Sequence, residues 1–182
     1  MGMKRRIFSS LASAMILAAC SPHREAIKPV DGIDLPRFMG DWYVIAHIPT
    51  FIERNAYDAV ESYVLSPDGE IQTTFRYRNG SFDAPPRTLH PVARANADSK
   101  NAVWGMQFVW PIRAQYIVAY IDRDYQQTII ARDARDYVWI MARSPSISPE
   151  DYQRLIGKVE QLGYPIENLR KVPQRTSEAS KP

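Results

Sequence analysis

Apolar and polar residues alternate along most of the chain after about residue 40, in runs of five to ten residues. A period of two is typical of β-strands with one buried face, and turn sequences such as Ser-Pro-Asp-Gly at 66–69 and Asn-Gly at 79–80 separate the runs. The pattern therefore predicts an all-β protein of eight short strands. These strands are predicted at 40–48, 57–65, 71–77, 88–97, 104–110, 115–121, 127–131 and 137–142.

Large side chains on some strands face small side chains on others, a pattern that leaves space inside a β-barrel. The fourth predicted strand, 88–97, has mostly small residues on one face, whereas the fifth, 104–110, has Trp and Phe on one face. If Trp42 points inward, alternation gives a predicted cavity wall of Val44, Ala46, Phe75, Tyr77, Trp104, Met106, Phe108 and Trp110. Alternation does not determine which face of the strands 57–65, 115–121 and 127–131 points inward, because a slip of one residue exchanges the two faces of a strand.

The last three strands are apolar on both faces, so another element must cover them. The sequence Ser148-Pro149-Glu150-Asp151 has the residues of a helix N-terminus, apolar residues then recur at helical spacing, and Gly163 ends the pattern. One amphipathic helix is predicted at about 148–163, packed against the outside of the sheet. The barrel domain is predicted to span 34–173, with a disordered tail at 174–182.

The first twenty residues have the layout of a bacterial lipoprotein signal. Lys4, Arg5 and Arg6 precede an apolar run that ends in Leu-Ala-Ala-Cys at 17–20. Residues 1–19 are predicted to be a signal peptide, Cys20 the site of lipid attachment, and 20–33 a tether. Because Ser21 replaces the aspartate of inner-membrane retention signals, we expect an outer-membrane protein on the periplasmic face. A plain signal peptide with a coincidental cysteine is the alternative.

Charge argues against a nucleic-acid partner. The whole chain has 23 basic and 20 acidic residues, and residues 1–19 hold three of the basic ones and no acid. The remainder therefore has 20 of each and a net charge of zero, so no basic surface is indicated. With Cys20 the single cysteine of the sequence, no intramolecular disulfide can form.

Three sequence motifs, in order, resemble the signatures of the lipocalin family. They are Gly40-Asp41-Trp42-Tyr43, Asp122-Arg123-Asp124-Tyr125 and Trp139-Ile140-Met141-Ala142-Arg143. Flanking sequences at 51–54 and 144–148 are similar to the bacterial outer-membrane branch, which is related to apolipoprotein D. The resemblance covers about residues 35–172.

The resemblance implies an eight-stranded antiparallel up-and-down barrel with one C-terminal helix outside. In this family the tryptophan fills the closed end, the arginine lies across its indole, and the second motif is a turn at the same end. Gly40, Trp42, Asp122, Tyr125 and Arg143 are thus the implied structural residues. The implied ligand is a fatty acid or lysophospholipid, bound in a role tied to envelope maintenance or stress. His47, Glu53 and Arg54 would lie at the open end, either near a headgroup or as solvated charges.

An enzyme is the first alternative, but the sequence has none of the common nucleophile, dinucleotide, phosphate-loop or zinc-protease motifs. Three scattered histidines, His23, His47 and His90, give no metal site, so neither a metal nor a cofactor is expected. The aspartates of 122–125 are more typical of a turn than of an acid–base pair. Slow hydrolysis of a bound lipid stays open.

An interaction module is the second alternative, with a barrel filled by its own side chains. Self-association is the concrete form, because Phe51, Val109 and Ile112 are predicted to form an exposed apolar patch. No feature of the sequence requires a homodimer.

Overall fold

The computed structural model describes residues 24–175, and within them the chain forms a closed antiparallel β-barrel. The predicted signal peptide, Cys20 and tail residues 176–182 lie outside these residues. The elements, in order, are α1 (Leu35–Phe38), β1 (Gly40–Ile48), β2 (Ala56–Leu65), β3 (Ile71–Asn79), β4 (Pro86–Leu89), β5 (Val92–Ala95), β6 (Val103–Val109), β7 (Ile112–Ile121), β8 (Gln127–Ala131), β9 (Val138–Ala142), α2 (Pro149–Gln161) and β10 (Arg170–Lys171). Short 3₁₀ helices occupy Ala97–Ser99 and Ile166–Asn168.

The barrel closes because β1 pairs with both β2 and β9. β4 and β5 together make the fourth of eight barrel strands, both pairing with β3, and each barrel strand pairs with the next along the chain. The short β10 pairs with β1. The sequence predicts one continuous strand over 88–97, which is wrong at its centre. Pro91 lies at the break, and a proline has no N–H for the ladder. Its carbonyl instead accepts a hydrogen bond from the Thr73 N–H at 3.0 Å.

Two apolar layers stabilise the domain, one inside the barrel and one between the barrel and α2. The inner layer contains Trp42, Trp104 and Tyr116, all fully buried. The outer layer packs Leu155 and Val159 of α2 against residues such as Ile140. This outer layer accounts for strands that are apolar on both faces. Ser148 caps α2 as expected, its side-chain oxygen accepting from the Asp151 N–H at 3.0 Å.

The segment before the barrel and the start of the tail are both packed. Ile27 and Ile33 are buried, so the free part of the predicted tether is shorter than 20–33. In the predicted disordered tail, Gln174 donates from its side chain to the carbonyls of Val44 and Ala59 at 2.8 and 2.9 Å. These acceptors lie where the ladders of β1 and β2 change register, so the Gln174 amide satisfies backbone groups beside two β-bulges.

Among residues 24–175, no helix combines the length and apolar character that a membrane span requires. Over the same residues, no group of His, Cys, Asp and Glu side chains has an arrangement suited to a metal ion.

Candidate functional site

The closed end of the barrel is filled by aromatic side chains around Trp42. Its indole N–H donates to the Phe38 carbonyl at 2.8 Å, and its ring centroid lies 5.0 Å from that of Phe38. Trp104 stacks on Tyr116 with centroids 4.9 Å apart and meets Phe38 edge-on. This end is thus solid, and α1 lies across it.

Arg143 covers the Trp42 indole on its outer side, as the sequence motifs predict. The guanidinium carbon lies 3.8 Å from the ring centroid, a cation–π contact. The same guanidinium donates to five backbone carbonyls, those of Arg37, Phe38, Met39, Asp41 and Tyr125, at 2.8–3.3 Å. Burial lowers the pKa of Arg143, because desolvation disfavours its charge.

The turn between β7 and β8 lies at the same end. The Asp122 carboxylate accepts from the Gln126 and Gln127 N–H groups at 2.7 and 2.8 Å. Tyr125 has a positive φ of 58° and accepts through its hydroxyl from the Asp34 N–H at 3.0 Å. The second motif therefore holds a tight turn against α1. The Asp122 carboxylate accepts backbone N–H groups of the turn, so the structure gives no support to an acid–base pair at this motif.

At the opposite, open end the barrel contains a cavity of about 470 Å³. That volume lies in the range of ligand pockets. The walls are largely apolar and aromatic, with carboxyl groups added. Lining residues are Pro49, Thr50, Phe51, Ile52, Glu53, Glu61, Phe75, Leu89, Phe108, Ala114, Arg132, Asp136, Tyr137 and Trp139.

The loop between β1 and β2, residues 49–55, folds over the mouth and is called the lid loop here. Glu53 is 2% exposed, and its two carboxylate oxygens each lie 3.2 Å from the Trp139 indole nitrogen, which donates to them. Thr50 donates to the same carboxylate from its N–H and hydroxyl, at 3.2 and 3.3 Å. Tyr77 donates to the Ile52 carbonyl at 3.3 Å. The lid loop is therefore tied to the barrel interior by polar contacts.

His47 lies beside the contact between Glu53 and Trp139. It is completely buried, its Nδ1 lies 3.7 Å from a Glu53 oxygen, and neither ring nitrogen has a hydrogen-bond partner in the structure. Of the three residues expected at the open end, His47 and Glu53 are thus interior groups, while Arg54 is exposed. The interpretation of all three as solvated charges is wrong for His47 and Glu53, because the lid loop folds inward.

Glu61 marks the inner limit of the cavity. It pairs with Trp42 across β1 and β2, is 3% exposed, and accepts from the Tyr63 hydroxyl at 2.5 Å. Tyr63 in turn shares a hydrogen bond of 2.5 Å with Tyr116. Burial raises the pKa of Glu61 to about 8, and the Glu53 charge adds to the shift, so at neutral pH the carboxyl is mostly protonated. Burial likewise raises the pKa values of Tyr63 and Tyr116.

The cavity wall predicted from alternation divides into three groups. Phe75 and Phe108 line the cavity. Buried interior residues outside the lining are Val44, Tyr77, Trp104 and Met106.

Ala46 and Trp110 do not face the interior. Ala46 packs in the layer beneath α2, because a register shift between Val44 and Ala46 breaks the alternation of β1. Trp110 is 81% exposed, since β6 ends at Val109 and the chain turns there. Both assignments to the cavity wall are therefore wrong.

Sequence reasoning missed Glu61, Tyr137 and Trp139. Alternation alone does not fix which face of 57–65 points inward, so the sequence leaves Glu61 unassigned. The sequence identifies Trp139 only as part of the third motif. Its indole N–H needs a partner inside the barrel, and Glu53 supplies one.

A second concavity, of about 500 Å³, lies outside the barrel between α2 and β1, with walls that include Ile45, Pro145 and Tyr152. Tyr152 is the one aromatic side chain among its lining residues, whereas Phe51, Phe75, Phe108, Tyr137 and Trp139 line the interior cavity. The interior cavity is thus the better apolar site.

Comparison with known proteins supports the same architecture. A family model described as a lipocalin-like domain matches residues 33–174. Temperature-induced lipocalin-1 of Arabidopsis thaliana is 32% identical over 157 residues, covering 83% of this chain and 84% of that protein. The outer membrane lipoprotein Blc of Escherichia coli K12 is 26% identical over 175 residues, covering 92% and 96%.

Solved structures give the fold independently of sequence. Insecticyanin from the tobacco hornworm Manduca sexta superposes with a TM-score of 0.66 at 14% identity, covering 86% of this chain and 87% of that one. Apocrustacyanin C2 gives a TM-score of 0.63 at 9% identity, covering 79% and 81%. The family-model match over residues 33–174 and the relative that is 32% identical, taken with the barrel, its plugged end and its outer helix, show that the chain belongs to the lipocalin family.

Proposed function

We propose that this protein binds a single-chain lipid, a fatty acid or a lysophospholipid, in the cavity at the open end of its barrel. The observation that carries the proposal is the cavity of about 470 Å³ between the lid loop and Glu61, walled by Phe75, Phe108, Tyr137 and Trp139. Apolar and aromatic walls with a few polar groups are the usual composition of such a site. The apolar tail would be buried against these walls, at about 0.8 kcal/mol per methylene.

The polar groups of the cavity favour a defined orientation. Glu53 and Glu61 are the deep polar side chains, and Arg132 lies at the mouth, paired with Asp136 at 2.8 Å. An anionic headgroup placed deep would meet carboxyl groups, whereas one placed at the mouth meets a guanidinium and solvent. The tail is therefore expected to enter first.

Native mass spectrometry after exposure to a bacterial lipid extract tests this function, on a soluble form that starts at Ser21. We expect one added mass that matches a fatty acid or lysophospholipid. Ala114→Trp, which places an indole in the cavity, should abolish the added mass. Ala97→Trp, at an exposed position of the closed end, is the matched control and should retain it. A wild-type protein that stays bare with every lipid class would refute the proposal and favour the interaction module.

We further propose that Cys20 is acylated and holds the protein in the outer membrane. The motif Leu-Ala-Ala-Cys at 17–20 supports this, as does the similarity to proteins named outer membrane lipoprotein Blc from Escherichia coli and Citrobacter freundii. Mass spectrometry of the N-terminal peptide from membranes should show a diacylglyceryl cysteine. Cys20→Ala should lose this modification and lower the membrane-bound fraction, and a wild-type N-terminal peptide without acyl groups would count against the anchor.

Self-association stays a prediction. Two residues of the predicted patch, Phe51 and Ile112, are 83% and 71% exposed at the mouth. Sedimentation of the soluble form at several concentrations would measure it.

A further inference from the structure

The described chain begins at the open end of the barrel. Arg135, in the loop between β8 and β9, donates to the Glu25 carbonyl at 2.8 Å, and the Ile27 N–H donates to Asp133 of the same loop at 2.7 Å. From there the segment runs along β7, where the Val30 N–H donates to the Val118 carbonyl at 3.0 Å. It reaches the closed end only near Ile33. The N-terminal side of this segment therefore leaves the barrel beside the mouth.

The distance from Cys20 to this exit is short. Five residue steps separate Cys20 from Glu25, and a fully extended chain covers at most about 18 Å over five steps. The nine residues of β1 extend for about 30 Å, or roughly 23 Å along the axis of a barrel with tilted strands. An acylated Cys20 therefore keeps the open end close to the membrane surface, while the closed end can stay far from it.

The open end also has the exposed apolar side chains that a lipid surface requires. We define the apolar rim as Phe51, Phe108, Trp110 and Ile112, which are 83%, 44%, 81% and 71% exposed. Phe51 comes from the lid loop, and the other three come from the hairpin of β6 and β7. Clustered exposed hydrophobic residues mark interaction sites, and tryptophan is favoured at the membrane interface. The exposed basic residues Arg54 and Arg113 flank the apolar rim and suit anionic headgroups.

From the exit point of the chain and the apolar rim, we propose that the barrel docks mouth-down on the membrane that holds Cys20, with the rim in the headgroup region. The lid loop then lies between the cavity and the bilayer. This inference rests on the proposed anchor at Cys20. A second copy of the chain is the competing occupant of the apolar rim.

The full lipoprotein in vesicles of phosphatidylethanolamine and phosphatidylglycerol tests the orientation. Trp110 is 81% exposed, whereas the other three tryptophans, Trp42, Trp104 and Trp139, are buried, so it serves as a depth probe. Lipids brominated in the acyl chain should quench the tryptophan emission, and Trp110→Phe should remove most of that quenching. Absence of quenching in a protein whose Cys20 is shown to be acylated would overturn the docking while leaving the anchor intact.

The soluble form that starts at Ser21 has neither acyl groups nor the predicted signal peptide, so it measures the apolar rim without the anchor. Replacing Phe51, Trp110 and Ile112 together with serine should weaken binding to the same vesicles by at least about 10-fold, since each exposed apolar side chain contributes on transfer from water. Val64→Ser is the matched control, because Val64 is 62% exposed on β2 near the closed end, and binding should not change. If the serine variant binds vesicles unchanged but loses a dimer seen by sedimentation, the rim is a protein interface and the proposal fails.

Discussion

Replacing Arg143 with alanine tests the closed end of the barrel. The side chain makes one cation–π contact with Trp42 and five hydrogen bonds to carbonyls, so its loss removes several contacts of a charged group at once. The cation–π contact contributes about 0.5–2 kcal/mol. A single hydrogen bond to a charged group contributes about 1.5–3 kcal/mol when its partner stays buried.

The contributions of the five hydrogen bonds cannot simply be added. The carbonyls of Arg37 and Asp41 are exposed and can bind water instead, and the Phe38 carbonyl keeps the Trp42 indole N–H at 2.8 Å. We therefore expect Arg143→Ala to lower the free energy of unfolding by about 3 kcal/mol, or roughly 6–12 °C in melting temperature for a domain of this size. Arg143→Lys should lose less, because it keeps the charge but not the planar fork.

Urea denaturation of the soluble form, followed by tryptophan emission, measures this loss. Arg94→Ala is the control, since Arg94 pairs with Glu70 at 2.9 Å on the surface and such pairs contribute less than about 1 kcal/mol. Lipid affinity should stay unchanged in both variants, because the cavity is at the other end. Full stability with abolished lipid binding in Arg143→Ala would show that our division of the barrel into a structural end and a binding end is wrong.

Three further predictions concern other parts of the molecule. Because the pKa of Glu61 is raised to about 8 in the fold, the folded state keeps a proton that the unfolded state releases, so the free energy of unfolding should fall between pH 5 and pH 8. Glu61→Gln should remove that fall in urea titrations at the two pH values. Leu155→Ala should cost about 2–5 kcal/mol in thermal unfolding, because the side chain is fully buried under α2, whereas Gln153→Ala on the exposed face should change little. Trp110→Ser should alter the free energy of unfolding by less than about 0.5 kcal/mol, and a large loss would place its side chain inside the barrel after all.

Much of the fold can be predicted from the sequence because a strand with one buried face alternates apolar and polar residues. The predicted bounds of β1 and β8 match those observed, and Ser148 is the N-cap of α2 as its capping chemistry indicates. Alternation fails where the backbone changes register. Nothing in the residues around Ala46 indicates a bulge, and in the structure the bulge lies where β1 pairs with β9 and where Gln174 donates to the Val44 carbonyl.

The binding end is harder to predict because it depends on a loop. The sequence of the lid loop has no period, and the burial of Glu53 follows from a partner 86 residues away, the indole of Trp139. Glu61 could have been assigned inward only with a known register for β2, and the bulge between Tyr57 and Val60 shifts that register. Pairings between distant residues therefore set the chemistry of the cavity.

At each end of the barrel an ionisable side chain contacts a tryptophan, but the two contacts have different consequences. At the closed end, Arg143 donates to carbonyls that are fixed in the backbone, so the plug has one arrangement and contributes stability. At the open end, the lid loop is held by the contact of Glu53 with Trp139, made between side chains that line the cavity itself. A ligand that fills the cavity must displace or accommodate this contact, whereas it leaves the plug untouched. Because the two contacts share no partner, substitutions at Arg143 and Glu53 should act additively on stability, and only those at Glu53 should change how fast a lipid enters.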